Sequence, residues 1–179
     1  MIWVLVGVSL FIVVAGFVLL MGFLGRKLPE EHVASLTLRL NQPQQAVWET
    51  ISDAAGHKNW GKGITKVERL PDRDNHEVWR QHMGRNSFVL ITSVCQPPQH
   101  LVRTIADDNH FFSGDWEYEL FPDGAGTRVK LTEHGRVPNP VARAMMHYIF
   151  GETTTMKQHL TSLAGKFREA PRFEESGKS

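Results

Sequence analysis

Apolar side chains along the chain form three patterns: an uninterrupted run, a series of alternating stretches and a final segment with helical period. The uninterrupted run covers residues 2–24 and contains no charged residue. A helix of this length measures about 34 Å, which is enough to cross a hydrocarbon core of about 30 Å. The pattern therefore predicts a transmembrane anchor over residues 2–24.

A secretory signal peptide is the alternative interpretation of this run. Signal peptides have a positive stretch before a shorter apolar core, whereas here only the amino terminus precedes the run and no small-residue cleavage site ends it. Arg26 and Lys27 follow directly, and positive residues favour the cytoplasmic side. We therefore predict a single-pass membrane protein whose soluble domain is cytoplasmic, joined to the anchor by a juxtamembrane connector over residues 25–32.

The alternating stretches between residues 33 and 133 predict seven strands, with one helical interruption after the first. The interruption begins at Pro43, is amphipathic, and gives way to a short segment that ends at Trp60. Turns rich in Gly, Pro, Asp and Asn separate the later strands, which is typical of an antiparallel meander. The predicted strands are 33–40, 64–70, 76–83, 87–95, 101–106, 115–121 and 127–133.

The final segment, residues 139–169, has apolar residues at intervals of three, four or seven. Asn139 is a good N-cap and Pro140 suits the first helical position. The pattern predicts one long amphipathic helix, interrupted only by Gly151, whose length of about 45 Å requires a broad apolar surface to cover. The polar tail over residues 170–179 has no apolar period and is predicted to be disordered.

Three motifs in this order carry a resemblance to a known family. They are residues 42–48 (QPQQAVW) with Asp53 and Trp60, residues 114–120 (GDWEYEL), and residues 126–133 (GTRVKLTE) before Asn139. The chain from about residue 33 to 169 resembles the START-like superfamily, also called SRPBCC or polyketide cyclase/dehydrase-like. The resemblance implies an α+β helix-grip fold, in which a curved seven-stranded antiparallel sheet wraps a long C-terminal helix. Members include lipid and hormone carriers as well as cyclases, so the fold does not determine the activity.

Composition excludes several classes of function. The formal net charge is +1 with acidic and basic residues interleaved, so we predict no nucleic-acid partner. Cys95 is the single cysteine, so no intrachain disulfide is possible, and we interpret it as a small apolar residue of a strand. None of the nine histidines is spaced at i, i+3 or i, i+4, and no phosphate-binding loop or nucleophile elbow is present. We predict no metal and no cofactor.

Candidate site residues come from the sheet and from the final helix. Strand alternation directs Glu133 to the apolar side, where its carboxylate needs a partner. Arg80, His82 and Arg103 are candidate partners, and a purely structural ion pair is the alternative to a catalytic role. The predicted lining of a cavity between sheet and helix, which could equally be a packed core, comprises Trp116, Tyr118, Met145, Ile149 and Met156.

Three functions remain open. The first is a membrane-tethered module that binds a hydrophobic small molecule or lipid in the helix-grip cavity, and this is the one we favour because nothing in the sequence demands catalysis. The second is a cyclase-like, dehydrase-like or hydrolase-like enzyme that uses Glu133. The third is a protein-interaction module with a vestigial cavity. An open apolar pocket, a convergent set of buried polar groups and an exposed apolar patch would distinguish the three.

Overall fold

The structure is a computed structural model that describes residues 2–106 and 112–174. Four α-helices and eight strands follow one another along the chain, with a short 3-10 turn at Ala55–Asn59 and a π-helical turn at Met146–Phe150. In chain order they are α1 (Ile2–Gly25), β1 (Glu31–Leu40), α2 (Gln44–Ser52), β2 (Ile64–Arg73), β3 (His76–Met83), β4 (Asn86–Gln96), β5 (His100–Ile105), β6 (Ser113–Asp123), β7 (Gly126–Arg136), α3 (Pro140–Met145), α4 (Thr154–Lys166) and β8 (Arg172–Phe173).

The strands form one antiparallel sheet in the order β2-β3-β4-β5-β6-β7-β1-β8. Strands β2 to β7 are joined as a meander, because each pairs with the next along the chain. Strand β1 then pairs with β7, which brings Ala34 opposite Glu133. All seven predicted strands are present, and the sheet has eight strands because the tail contributes one more.

Helices α2 and α4 cover one face of this sheet and bury its apolar side chains. On α4, the four buried residues follow the spacing of one helical face: Met156, Leu160, Leu163 and Ala164. Across from them lie Leu38 and Leu40 of β1, Leu120 of β6, Val129 and Leu131 of β7, and Val47, Trp48 and Ile51 of α2. The helix-grip arrangement expected from the sequence is therefore confirmed.

The predicted long C-terminal helix is two helices that are not continuous. The side chain of Asn139 caps α3 as predicted, since its Oδ1 accepts hydrogen bonds from the backbone nitrogens of Val141 at 2.9 Å and Ala142 at 3.0 Å. After the π-helical turn, Gly151 has φ of +82° and breaks the helical path, a conformation that glycine adopts without steric cost. Only α4, after this break, packs on the sheet.

Helix α3 packs instead on the end of α1. A Cβ placed on Gly25 would lie 1.7 Å from the carbonyl oxygen of Pro140, so only glycine fits at this contact. The buried guanidinium of Arg143 donates from Nε to the carbonyl oxygen of Gly25 at 2.9 Å and from Nη1 to that of Val137 at 2.9 Å. The apolar period at the start of this segment therefore belongs to a contact with α1 rather than with the sheet.

Helix α1 is the one helix in the described part of the chain that is long and apolar enough to cross a membrane, with the candidate span at Val6–Gly25. In the most apolar stretch of this span, 6% of the residues are buried against the rest of the protein. Met21 and Gly25 are buried where α3 packs on α1. Most other side chains of the span from Val6 to Leu24 are apolar and exposed to their surroundings.

The tail differs from its prediction over part of its length. Arg172 pairs with Arg39 and Phe173 with Leu38, so residues predicted to be disordered form the edge strand β8. Nε of Arg39 donates to Glu174 at 2.6 Å, which strengthens this pairing. Strand β1 would otherwise present unpaired backbone groups along this stretch, and β8 covers them. Residues 175–179 lie outside the described part of the chain, where the prediction stays untested.

Candidate functional site

Glu133 points inward from β7, as strand alternation predicted, and is 4% exposed. Its cross-strand neighbour on β6 is Trp116, whose Nε1 donates to Oε2 at 2.7 Å. Nε2 of His32, from the start of β1, lies 3.1 Å from Oε1. Both carboxylate oxygens are therefore engaged by neighbouring side chains.

The predicted partners of Glu133 were wrong. His82 bonds Glu68 with an Nε2 to Oε2 distance of 2.6 Å, and Arg80 lies on the same side of β3 as His82. Arg103 does point inward, since it is paired with Trp116, but its Nη2 donates to the carbonyl oxygen of Ser52 at 2.9 Å. The sequence could not identify His32, because the β1–β7 pairing joins positions 101 residues apart.

Next to Glu133, five aromatic and imidazole rings meet between the sheet and α4. We call them the His–aromatic cluster: His57, Trp60, Trp116, Tyr118 and His159. The His159 ring from α4 lies at the centre, with ring centroids 5.1 Å from His57, 5.1 Å from Trp60, 4.9 Å from Trp116 and 5.9 Å from Tyr118. The His57 and Trp60 rings are 4.4 Å apart. The cluster thus joins the 3-10 turn, strand β6 and helix α4.

Two hydrogen bonds orient the imidazoles of the cluster. The phenolic oxygen of Tyr118 lies 2.9 Å from Nε2 of His159. The amide nitrogen of Gln81 lies 2.9 Å from Nδ1 of His57, and an amide nitrogen can only donate. A neutral His57 therefore carries its proton on Nε2.

Burial keeps these imidazoles neutral at physiological pH. Burial, reinforced by the charge of Arg103, lowers the pKa of His57 to about 4 from its ordinary value of 6.5. Burial likewise holds the pKa of His159 well below its ordinary value, with His57 and Arg103 adding to the effect. Burial raises the pKa of the Tyr118 phenol, which is thus a protonated hydrogen-bond donor. The cluster combines neutral bases with a neutral phenol.

Two buried N–H donors next to these rings lack a partner among residues 2–106 and 112–174: Nε2 of His57 and Nε of Arg103. The two residues are close enough for the Arg103 charge to lower the pKa of His57. Buried donors in folded proteins are nearly always paired, and an unpaired one costs about 1–3 kcal/mol. The arrangement suits an acceptor atom supplied from outside the chain, such as a carbonyl or hydroxyl oxygen.

The structure does not bring the predicted lining residues together. Trp116, Tyr118 and Met156 belong to the sheet–α4 core, in which Tyr118 is 3% exposed and Met156 fully buried. Met145 ends α3 and Ile149, 51% exposed, lies in the π-helical turn, on the other side of the break at Gly151. The break is the physical reason, because it directs residues 140–150 towards α1.

Two depressions described in the structure lie outside this core. One lies over β3, β4 and β5 beside Arg80 and Val89, and the other lies between α2, the 3-10 turn and the end of α4. Neither is lined by Trp116, Tyr118, Met145 or Met156. The second is lined in part by Trp60, whose ring also packs on His57. Trp60 therefore lies between this surface depression and the interior of the cluster.

Sequence reasoning missed His57, Gln81 and His159. A signal for His159 existed, since it follows Met156 by three residues and therefore lies near the buried face of α4. His57 lies in a five-residue turn, which is too short for a periodic pattern to reveal which side is buried.

Comparison with known proteins gives a consistent result over most of the chain. A family model described as "Polyketide cyclase / dehydrase and lipid transport" matches residues 32–168. No curated protein sequence matches the chain.

Among solved structures, the ZhuI aromatase/cyclase from Streptomyces sp. R1128 is similar, with a TM-score of 0.65 and 18% identity over 76% of this chain and 93% of that one. A START superfamily protein from Mycobacterium smegmatis has a TM-score of 0.58 and 17% identity over 75% of this chain and 96% of that one. A conserved protein from Geobacillus kaustophilus has a TM-score of 0.61 and 12% identity over 80% of this chain and all (100%) of that one. At these identities the likeness concerns the fold.

Proposed function

The chain belongs to the polyketide cyclase / dehydrase and lipid transport family, and from this premise we propose that it is a membrane-tethered domain that binds a hydrophobic small molecule or lipid at the His–aromatic cluster. The observation that carries the proposal is the pair of buried, unpaired donors, Nε2 of His57 and Nε of Arg103, beside aromatic rings. The ligand class that fits is an apolar or aromatic molecule with an oxygen acceptor.

The cluster offers contacts both to the apolar part and to the acceptor oxygen of such a ligand. Rings of Trp60, Trp116 and Tyr118 supply large apolar area at little cost in side-chain entropy. Each donor would be satisfied by an acceptor oxygen, which removes the penalty of leaving it unpaired. A purely hydrocarbon ligand would bury the same area and leave the donors without partners, so it should bind more weakly.

A ligand can reach the cluster only if the protein opens a path to it. Tyr118 is 3% exposed and Met156 fully buried, so the ligand has to displace packed side chains. Trp60 is the side chain best placed to move, because it lines the depression beside α2 and stacks on His57. It follows the short 3-10 turn and lies outside the strands, so it is the side chain that we expect to move.

Helix α1 supports the tether. It is long enough to span, its apolar side chains are largely exposed, and Arg26 and Lys27 follow directly. Resistance of the full-length chain to alkaline extraction from membranes tests the tether, and complete release would contradict it. A reporter that is active only outside the cytoplasm, fused to the C-terminus, tests the orientation, and reporter activity would reverse it.

Binding is tested with two probes of similar size and shape, 2-acetylnaphthalene and 2-isopropylnaphthalene, added to the detergent-solubilised full-length protein. The acetyl compound should bind about tenfold more tightly, the equivalent of about 1.4 kcal/mol for hydrogen bonds gained by buried donors. His57→Phe should reduce that preference, because one of the two donors is then absent, and Trp116→Ala should weaken the binding of both probes. Trp79→Ala is the matched control, since Trp79 packs on Arg69 outside the cluster. Equal affinity of the wild type for both probes would contradict the role of the donors.

A second candidate is an enzyme of the cyclase or dehydrase kind, favoured by the convergence of two neutral imidazoles and a phenol. A neutral imidazole can accept a proton from a substrate, although a pKa of about 4 makes His57 a weak base at pH 7. Tyr118 could donate its hydrogen bond to a developing oxyanion in place of His159. The base would be His57, His159 or Glu133, once a substrate displaces the hydrogen bond that each of them makes. An aromatisation assay on a poly-β-ketone analogue separates the candidates: His159→Gln should keep binding and lose turnover if the protein is an enzyme. If neither probe binds, the interaction module is the remaining function.

A further inference from the structure

The π-helical turn at Met146–Phe150 presents three consecutive large apolar side chains to the surroundings. Tyr148 is 55% exposed, Ile149 51% and Phe150 60%. Single exposed apolar residues are ordinary, but a contiguous group of this size on a folded protein marks a surface that is covered in the functional state. No residue of the described chain covers this group.

The turn continues directly from the contact between α3 and α1. Val141 faces Gly22, where a Cβ would lie 3.6 Å from Cγ2 of Val141, and Pro140 lies against Gly25. From Val141 to Phe150 the helical path measures about 14 Å. The exposed group is therefore held within that distance of the last turn of α1, where the predicted span ends.

The contact that sets this position is polar as well as apolar. Arg143 is 8% exposed, donates to the carbonyl oxygens of Gly25 and Val137, and lies 3.7 Å from a carboxylate oxygen of Glu30. A cation at the C-terminal end of α1 also interacts favourably with the helix dipole. The turn is thus positioned relative to α1 by contacts of Arg143 with Gly25, at the start of the connector, and with Glu30, near its end.

We propose that Tyr148, Ile149 and Phe150 insert into the lipid interface beside α1, so that the membrane contacts the domain at a second point. The inference rests on the membrane tether of the proposed function. Tyrosine and phenylalanine suit the boundary between headgroups and acyl chains, and Arg26 and Lys27 at the same exit favour anionic headgroups. A lipid interface is the occupant that is continuous with the surroundings of α1, whereas a protein partner would need a separate surface.

The experiment uses the full-length chain in vesicles of phosphatidylcholine and phosphatidylglycerol. In a Cys95→Ser background, an environment-sensitive fluorophore is attached through Ile149→Cys, with Tyr148→Cys as a second labelling position in case the first variant folds poorly. The control position is Phe121→Cys, because Phe121 is 41% exposed on the β6–β7 hairpin, at the opposite end of these strands from Arg136. Emission is recorded with quenchers carried on lipid chains and, separately, with an aqueous quencher.

The expected result is a blue-shifted emission at positions 149 and 148, quenched by the lipid-borne quencher and protected from the aqueous one, with the reverse at position 121. Aqueous quenching at 149 equal to that at 121 would overturn the proposal. Protection from both quenchers at 149 would also overturn it, because a protein or a second copy then covers the turn. Alkaline extraction of the same vesicles keeps the two proposals separate: a retained chain with a water-exposed label refutes only the second contact, and a released chain refutes the tether and this contact with it.

Discussion

The phenolic oxygen of Tyr118 and Nε2 of His159 lie 2.9 Å apart, and this bond connects the concave face of the sheet to α4 across a sequence separation of 41 residues. With the imidazole neutral and the phenol protonated, Tyr118 donates and His159 accepts. The bond holds His159 at the centre of the His–aromatic cluster. Its removal is therefore a direct test of what the cluster contributes.

Tyr118→Phe should lower the free energy of unfolding by about 1–3 kcal/mol, because it leaves a buried acceptor on His159 without its donor. Urea denaturation of the full-length chain in detergent measures the change. The chain has two tyrosines, and Tyr148→Phe is the matched control because Tyr148 is 55% exposed. The control should change stability by less than about 0.5 kcal/mol. Equal losses for the two variants would mean that the Tyr118–His159 bond is not stabilising.

Stability should fall as the pH drops from about 6.5 towards 4. The folded state depresses the pKa of His57 to about 4 from 6.5, so between these values the unfolded chain binds a proton that the folded chain does not. This difference in proton binding lowers the free energy of unfolding by about 3 kcal/mol in total. None of that loss has occurred above about pH 6.5, and it is complete at about pH 4. The pKa of His159 shifts in the same direction and adds to the slope.

Denaturation midpoints between pH 5 and 6.5 measure this effect, in a range above the ordinary carboxyl pKa. His57→Gln should flatten the profile of stability against pH. A profile of the His57→Gln variant as steep as that of the wild type would contradict the assignment to His57.

Leu160→Ala should cost about 2–5 kcal/mol, since Leu160 is fully buried under the sheet and its removal leaves a cavity. Gln158→Ala, on the exposed side of α4, should be nearly neutral. Urea melts of the two variants measure the difference. Similar midpoints would show that α4 packs with a different face.

Glu133→Gln should leave the affinity for the acetyl probe within about twofold, because the carboxylate is held by Trp116 and His32 and an acetyl oxygen, which only accepts, cannot bond to it. It should lower the free energy of unfolding by about 1 kcal/mol, since a charge-assisted bond from Trp116 becomes a neutral one. Isothermal titration and urea denaturation measure the two quantities. A loss of binding with unchanged stability would place Glu133 in contact with the ligand.

Arg143→Met should loosen α1 from the domain without unfolding the sheet. The substitution keeps most of the apolar stem and removes the donors to Gly25 and Val137. Limited proteolysis in the connector should become faster, while the urea midpoint of the domain stays close to that of the wild type. Arg136→Met, at a more exposed arginine that also contacts Glu30, is the control and should not change the cleavage rate.

The sequence predicted the sheet well because each strand has one buried face, so alternation carries the information. Trp116, Tyr118 and Glu133 were placed on the inner side by that argument alone. The final helix was harder to predict. An apolar stripe shows that one face of a helix is covered, but it does not show which element covers that face. Residues 140–150 keep the helical period of the following segment. Helix α3 nevertheless packs on α1, and the π-helical turn after it is exposed.

The polar part of the site depended on contacts distant in sequence. His57 comes from a turn after α2, Gln81 from β3 and His159 from α4, and only the assembled fold brings them together. Their role also depends on burial, because burial sets the pKa of each imidazole. No local sequence pattern indicates how deeply these side chains are buried. A single sequence therefore located the inner face of the sheet and missed the two imidazoles that are buried near it.

Gly151 separates two parts of the C-terminal region that are attached to different elements. On one side of it α3 is fastened to α1, and on the other side α4 is fastened to the sheet. A tilt of α1 in response to bilayer thickness would be carried by Arg143 into α3 and absorbed by rotation at Gly151, whose φ of +82° is open to glycine and strained for other residues. In the membrane-tethered state proposed above, α3 would then move with α1 while the core around α4 stays packed.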